Sequence, residues 1–260
     1  MRHINLDSYN NFETFNDQNE IVKYRENKYN SLYNHIKFIK NEFNSPIKVT
    51  ELGSGNCKLL IRLVKETIAT HCIGYDISES RNKFAKSWVN DSNTDNEVFP
   101  RVGDITKIKY NKDGNRDLFL GLDIIWHFME PTRKGSSKTQ LKEIYNSLNN
   151  GGKIIFEFCD LNRYINTKTW EEFKKPDPWC FSLWDCWVNN ETNYFHWDKK
   201  FIGRDNNMVD EKNIILEILP VDDIEKLIKN IGFTKIKFYD DWDGSVYTGN
   251  PFEYIVVAEK

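Results

Sequence analysis

Short apolar stretches alternate with helical patterns through the middle of this chain, and that alternation constrains the fold more than any other feature. Between residues 47 and 158, segments with strand character are followed by segments whose apolar residues recur at three- and four-residue steps. A strand, a helix and a further strand form a crossover unit, which places the two strands side by side and parallel. The sequence therefore predicts an α/β fold built on a mostly parallel sheet.

The pattern divides the chain into four predicted segments. They are an N-terminal arm and helical cap over residues 1–45, a core over 46–158, an antiparallel lid insertion over 159–219, and a C-terminal helix with closing strands over 220–260. Inside the insertion, where aromatic residues cluster, the predicted strands are 181–188, 194–202 and 213–219. Two helix predictions are specific: one from Asn19 to the stop at Ser45-Pro46, and one from Lys58 to Thr70.

Charge and cysteine usage exclude several classes of protein. Lys and Arg number 36 against 39 Asp and Glu, a balance that argues against a dedicated nucleic-acid binder. No run reaches the roughly 18 apolar residues of a membrane span, and the first residues lack an apolar signal core, so we expect a cytoplasmic protein. Five cysteines without a Cys-x-x-Cys pair favour neither a disulfide framework nor structural zinc, and we predict no metal site.

The turn between the first strand and its helix carries the chemistry. Glu51-Leu52-Gly53-Ser54-Gly55-Asn56 occupies this turn, and glycines there let the backbone bend sharply and let a ligand approach the amides. Asp76 ends the next strand, where a carboxylate is positioned to accept both hydroxyls of a ribose. An ordinary strand-to-helix turn is the alternative for the loop taken alone.

The loop also indicates which nucleoside binds. A dinucleotide fingerprint needs a third glycine three positions after Gly55, and that position holds Lys58. No Gly-Lys-Ser/Thr follows the turn, so a P-loop is absent as well. These two differences favour S-adenosylmethionine, which has a ribose but no phosphate.

At this point the sequence resembles the class I S-adenosylmethionine-dependent methyltransferases of the small-molecule type. Five segments carry the resemblance in the family's order: 49–56, 74–78, 102–105, 117–124 and 148–155. It runs from about Ile47 to Phe158 and resumes from Leu219 to Lys260. The resemblance implies a Rossmann-like, doubly wound, mostly parallel seven-stranded sheet with an antiparallel, aromatic-rich insertion after strand five, and a ligand at the carboxyl ends of the strands.

The resemblance also implies roles for individual residues. Gly53 and Gly55 should lie under the methionine and ribose parts, Glu51 should orient the methionine amino group, and Asp76 should hold the ribose. Asp104 and Ile105 should border the adenine, with a turn-capping role as the alternative for Asp104. From the N-terminal helix, Arg25 is a candidate partner of the methionine carboxylate, with a solvated helix face as its alternative. The full predicted cofactor set is Glu51, Gly53, Ser54, Gly55, Asn56, Asp76, Ile77, Asp104, Ile105, Leu120, Arg25 and Tyr29.

Three residues are candidates for the chemistry of methyl transfer. His127, near the end of the fourth strand, is the favoured general base because imidazole titrates near neutral pH. His196 in the aromatic insertion is its rival, and Asp123 is a candidate to orient or deprotonate the acceptor. For either histidine the alternative is a packing role, and the aromatic insertion itself is either a lid that excludes water or a second small core.

The sequence thus predicts an enzyme that transfers a methyl group from S-adenosylmethionine to an oxygen or nitrogen of a small molecule, leaving S-adenosylhomocysteine. Candidate acceptors are nucleotide-linked sugars, surface-glycan precursors, phosphoramidates and amines. The amino-methylating nucleic-acid signature Asn/Asp-Pro-Pro-Tyr/Phe is absent after strand four, so we expect neither a nucleic-acid nor a membrane partner. A protein or RNA methyltransferase, and a non-catalytic cofactor-binding protein, remain the alternatives.

Overall fold

The computed structural model describes residues 17–130, 136–161, 170–177, 180–189, 191–203 and 209–260, together with residues 13 and 15. Its helices are α1 (Gln18–Asn30), α2 (Tyr33–Asn41), α3 (Lys58–Lys65), α4 (Glu79–Asp91), α5 (Ser136–Ser147) and α6 (Val221–Ile231). Its strands are β1 (Ile47–Leu52), β2 (Ala69–Asp76), β3 (Val98–Val102), β4 (Arg116–Gly121), β5 (Leu148–Cys159), β6 (Trp170–Asp177), β7 (Cys180–Asn189), β8 (Tyr194–Gly203), β9 (Val209–Glu217), β10 (Thr234–Tyr239) and β11 (Glu253–Glu259).

Seven strands form the main sheet, in the order β10-β11-β5-β4-β1-β2-β3. The pairs from β3 through β5 are parallel, and β11 is inserted antiparallel between β5 and β10. Strand order reverses beside β1, because the chain goes from β1 to β2 on one side and to β4 on the other. This arrangement confirms the predicted Rossmann-like sheet, and it leaves a crevice at the carboxyl ends of β1 and its neighbours.

Both faces of the main sheet are covered, as a parallel sheet requires. One apolar cluster joins α2, α3 and α4 to one face through residues such as Ile39, Leu60 and Trp88. A second cluster joins α5 and α6 to the other face through residues such as Ile144 and Ile228. Burial on both faces accounts for the apolar runs Leu118-Phe119-Leu120 in β4 and Ile154-Ile155-Phe156 in β5.

A separate antiparallel sheet, β6-β7-β8-β9, follows β5 and confirms the predicted insertion. Its own apolar cluster includes Cys186, Phe195 and Leu216, and β9 packs against the short 3-10 turn Ile125–Met129 that follows β4. Strand β6 was not predicted, because Trp-Glu-Glu-Phe-Lys-Lys-Pro-Asp lacks a sustained apolar alternation and is defined by its pairing with β7.

Two predicted helices differ from the structure. The N-terminal helix is interrupted between Asn30 and Tyr33, where the Ser31 hydroxyl donates to the Lys28 carbonyl at 2.9 Å and ends α1. The helix predicted for 58–70 ends at Lys65, because Thr67 adopts a positive φ of 57° and β2 begins at Ala69. No helix in the described ranges combines the length and apolar character needed to cross a membrane.

Candidate functional site

The loop from β1 to α3 bends back sharply at the centre of the crevice. Gly53 and Gly55 have φ values of +67° and +53°, and the backbone N–H of Ser54 donates to the Tyr75 carbonyl at 2.9 Å. A Cβ atom on Gly53 would lie 2.5 Å from Ile124 Cγ1, so both the backbone angle and the available space require glycine there. The loop is thus held in a sharp bend that lines the crevice.

Asp76 fixes this loop from the neighbouring strand. The carboxylate accepts hydrogen bonds from the backbone N–H of Gly55 at 2.9 Å and of Ser78 at 2.8 Å. Only 7% of Asp76 is exposed, and it lines the crevice where β2 ends. The carboxylate is therefore ordered before any ligand binds, which is the pre-organisation that a specific sugar site needs.

Two adjoining cavities make up the crevice, and they share Gly53, Asp76, Arg81 and Ile124. The nucleoside half, of about 560 Å³, is lined further by Ile77, Gly103, Asp104, Ile105, Thr106 and His127. The acceptor half, of about 990 Å³, is lined further by Glu51, Ser54, Asn56, Lys58, Asp123 and Glu157, with α1 residues at its margin.

The nucleoside half is rigid at its floor. Ile105 is buried, and its carbonyl accepts from the Tyr110 hydroxyl at 2.8 Å. Asp104 accepts from both the backbone N–H and the hydroxyl of Thr106, at 3.0 and 2.7 Å, and forms an ion pair with Lys107 at 3.0 Å. Asp104 thus caps its own turn, as the alternative for it anticipated, while still lining the cavity.

Glu51 is the most unusual group of the acceptor half. Burial raises its pKa to about 8, with Lys58 opposing the shift and Asp76 adding to it. Its Oε2 atom has no hydrogen-bond partner within the described part of the chain. Burial and the nearby Lys28 lower the pKa of Lys58, so this region contains one buried and one partly buried ionisable group whose charges a bound ligand can change.

The margin beside α1 contains a residue that sequence reasoning missed. Glu13 accepts hydrogen bonds from the Tyr24 hydroxyl at 2.7 Å and from Asn56 Nδ2 at 2.6 Å. These bonds tie the N-terminal segment to the β1–α3 loop and account for the position of Asn56 at the cavity wall. No local signal marks Glu13, because its partners are distant in sequence.

Arg25 and Tyr29, both predicted to contact the cofactor, do not line the described crevice. Arg25 forms an ion pair with Asp91 at 2.7 Å and lies over the rings of Phe84 and Trp88. Tyr29 packs under the guanidinium of Arg62, at 4.7 Å from its ring centre. Both side chains join α1 to the helices beneath it, and their contact with the cofactor stays a prediction.

Leu120 and His196 also lie away from the crevice. Leu120 lies in β4, where it pairs in register with Glu51 of β1. Its side chain is completely buried and belongs to the apolar core. His196 lies in β8 of the second sheet and stacks on Trp187, with 5.0 Å between ring centres. Among the described residues, neither lines either half of the crevice.

The other two candidates for the chemistry of methyl transfer, His127 and Asp123, lie in different halves of the crevice. His127 lies in the 3-10 turn, not in an α-helix, lines the nucleoside half, and places Nδ1 2.6 Å from Glu130 Oε1. Asp123 is exposed, has a positive φ of 52°, and lines the acceptor half. The tertiary structure therefore brings Asp123, and not His127, to the half that contains Glu51.

Glu157, near the end of β5, is a second residue that sequence reasoning missed. It lines the acceptor half, and its Oε1 accepts from the indole N–H of Trp242 at 3.1 Å. Burial raises its pKa, while hydrogen bonds from Trp242 and from the backbone N–H of Asp123 oppose the shift. One signal was available: Glu157 interrupts the apolar run Ile154-Ile155-Phe156 and Phe158 of a strand whose neighbours are buried.

Comparison with known proteins places the chain among methyltransferases. Residues 43–201 match a family model described as a methyltransferase domain. An S-adenosylmethionine-dependent methyltransferase from Clostridium acetobutylicum superposes with a TM-score of 0.70 at 15% identity, covering 88% of this chain and 91% of that one. No curated protein sequence matches this chain.

Two further solved structures share the fold at low identity. An amino pentose methyltransferase from Micromonospora echinaspora, solved with S-adenosylmethionine bound, has a TM-score of 0.63 at 12% identity and covers 95% of this chain and 99% of its own. A sugar N-methyltransferase from Streptoalloteichus has a TM-score of 0.60 at 11% identity and covers 86% and 84%.

Proposed function

We propose that this protein, which belongs to the class I S-adenosylmethionine-dependent methyltransferases, transfers a methyl group to an oxygen or nitrogen of a small molecule. Nucleotide-linked sugars, surface-glycan precursors, phosphoramidates and amines are the acceptor classes under consideration. Structural neighbours that act on an amino pentose and on a sugar nitrogen support a small acceptor.

One observation carries the proposal: the bend at Gly53 and Gly55 lies between two carboxylates that line one crevice. Asp76 is ordered by two backbone amides at one side of the bend, and Glu51 is buried with an unpartnered oxygen at the other. S-adenosylmethionine carries a ribose, a positive sulfur and an ammonium group. A ribose-binding carboxylate and an unpartnered buried carboxylate fit these groups, and the residues present therefore suit the cofactor.

We assign the cofactor contacts from this arrangement. Asp76 accepts the ribose hydroxyls, Glu51 faces the methionine ammonium, and Gly53 lines the crevice where its two halves meet. Ile77 and Ile105 both line the nucleoside half and offer apolar surface for an adenine, and the Asp104 turn borders it.

The chain's own contribution to the reaction is mainly positioning. When bound, S-adenosylmethionine supplies an activated methyl group on a positively charged sulfur. The acceptor half then holds a nucleophile in line with that methyl, and orientation of this kind is worth several orders of magnitude in rate. Because Asp123 lines this half and His127 lines the other, we favour Asp123 over His127 as a group that orients the acceptor.

Calorimetry with S-adenosylmethionine and S-adenosylhomocysteine tests the proposal. Wild-type protein should bind both, and Asp76→Ala should weaken binding by about 10- to 150-fold, the range for losing hydrogen bonds to a charged group. Asp95→Ala, an exposed carboxylate in the α4–β3 loop, is the matched control and should bind like wild type. Equal affinity in the two variants, or no binding by the wild type, would contradict the assignment.

A further inference from the structure

The order of the strands places the acceptor relative to the cofactor. The groups assigned to the nucleoside lie at the ends of β1, β2 and β3, on one side of the point where strand order reverses. On the other side of β1 lie β4 and β5, whose ends carry Asp123 and Glu157. A molecule that approaches the methyl group from the side opposite the nucleoside meets these two residues first.

Glu157 is held as a pre-positioned acceptor of hydrogen bonds at this place. The Trp242 indole N–H and the backbone N–H of Asp123 both donate to its carboxylate. Trp242 is itself fixed, because it is buried and stacks on His35 with 4.4 Å between ring centres. The carboxylate thus has a defined position in the cavity wall, and binding an acceptor there requires little further ordering.

The charges around Glu157 favour a positively charged acceptor. The charged side chains that act most on Glu157 are Glu253 on β11 and Asp241 in the β10–β11 loop, both negative. Asp123 and Glu253, with Cys159, bring one side-chain atom each within 4.8 Å of the others. Burial and these carboxylates raise the pKa of Cys159, so its thiol stays uncharged. The cations that line the acceptor half, Lys28, Lys58 and Arg81, belong to α1, α3 and α4 instead.

We propose that Glu157 binds the amino group of the methyl acceptor and removes its proton, so that the protein is an N-methyltransferase of small amines; this inference rests on the proposed function above. In the first step the acceptor ammonium transfers one proton to the Glu157 carboxylate, which leaves a neutral amine. The nitrogen lone pair then forms the new N–C bond while the S–C bond breaks and its electron pair stays on sulfur. The product is a methylated ammonium, and Glu157 returns its proton to water.

An amine suits this carboxylate better than a hydroxyl. Burial raises the pKa of Glu157, which makes its carboxylate a stronger base toward an ammonium than an exposed carboxylate is. An alcohol retains its proton far more tightly, so a carboxylate is a poor base for it. An anionic acceptor would also meet the carboxylates Asp123 and Glu253.

Glu157→Gln tests this inference, because glutamine keeps an oxygen for the Trp242 N–H but loses the charge and the base. Purified wild type, Glu157→Gln and Glu191→Gln are compared by calorimetry with S-adenosylhomocysteine and by its release during turnover. The probes are matched pairs, glucosamine with glucose and ethanolamine with ethylene glycol. Glu191 lies on the exposed β7–β8 turn, so Glu191→Gln controls for the loss of one carboxylate.

We expect wild type to methylate amines and not their hydroxyl partners. Glu157→Gln should bind S-adenosylhomocysteine within about twofold of wild type while kcat falls about 10²- to 10⁴-fold, the usual contribution of a general base. Trp242→Phe, which keeps Glu157 but removes one donor to it, should show a smaller loss of kcat than Glu157→Gln.

Several results would overturn the inference. They are methylation of the alcohols in preference to the amines, full activity in Glu157→Gln, equal loss of cofactor affinity and turnover in that variant, or cofactor binding with no transfer to any amine of the panel. Failure of wild type to bind S-adenosylhomocysteine would instead count against the proposed function, which separates the two outcomes.

Discussion

At the scale of single residues, Glu51 combines deep burial with a place on the wall of a ligand cavity. A buried carboxyl is costly to ionise, and burial accordingly raises the pKa of Glu51 to about 8 although the nearby Lys58 opposes the shift. Without ligand at pH 7, most of the Glu51 population is therefore protonated. A cation bound beside it favours the ionised form, so binding and deprotonation are linked.

Binding should therefore release a proton. At pH 7 we expect close to one proton per S-adenosylmethionine bound, since a carboxyl with a pKa of about 8 is mostly protonated before binding and ionised after it. Affinity should rise with pH up to about 8 and then level off, because above that pH Glu51 is already ionised. Calorimetry in buffers of different ionisation enthalpy measures the proton count.

Glu51→Gln is the control for this prediction. The variant has no carboxyl to ionise, so proton release should disappear and the pH dependence of affinity should flatten. A wild type that binds the cofactor without exchanging a proton would contradict the assigned role of Glu51. Lys58 and Asp76 are the other charges that shift the pKa of Glu51.

At the scale of elements, the β1–α3 loop depends on backbone conformations that few residues adopt. Gly53, Gly55 and Cys57 all have φ between 53° and 67°. Cys57 has a Cβ and still adopts this conformation, at the N-terminus of α3, where its side chain is fully buried. Tertiary packing therefore holds the loop in a strained shape, as is common in sites that bind ligands.

Gly53→Ala and Gly151→Ala separate the effect of backbone strain from that of steric clash. Both glycines have positive φ, +67° and +76°, but a Cβ on Gly151 meets nothing within 4 Å whereas one on Gly53 meets Ile124 at 2.5 Å. Each substitution should cost about 1–2 kcal/mol of unfolding free energy for the left-handed conformation, and Gly53→Ala should cost more.

Urea unfolding and calorimetry measure the two effects. Gly53→Ala should also lose affinity for S-adenosylhomocysteine, because the displaced Ile124 lines both halves of the crevice. Gly151→Ala should keep wild-type affinity. Similar stability and affinity in the two variants would show that the approach of Ile124 to Gly53 has no role in the site.

At the scale of the whole molecule, two sheets with separate cores meet near the crevice. The second sheet has its own apolar cluster, and β9 packs against the 3-10 turn that carries His127. The described walls of the crevice come from the main sheet, its loops and the N-terminal segment. We therefore predict that the second sheet supports the crevice from behind the 3-10 turn, and that cofactor binding depends on it less than turnover does.

Leu216→Ala tests this division. Leu216 is fully buried in β9, so its truncation should cost about 2–5 kcal/mol of unfolding free energy, whereas Leu183→Ala, at a position 42% exposed in β7, should cost far less. Leu216→Ala should lower turnover more than affinity for S-adenosylhomocysteine. Equal losses would mean that the second sheet also organises the cofactor loop.

The sequence alone determined the strand–helix alternation, the glycine bend and the position of Asp76, because each depends on residues close together in the chain. Periodic burial and local backbone requirements leave a local signal, and the mostly parallel seven-stranded sheet followed from the resemblance. Tertiary structure decided which side chains face the crevice. Arg25 pairs with Asp91, Asn56 with Glu13, and Trp242 with Glu157, each across a long stretch of chain. Such pairings arise only when distant segments pack together, so no local pattern contains them.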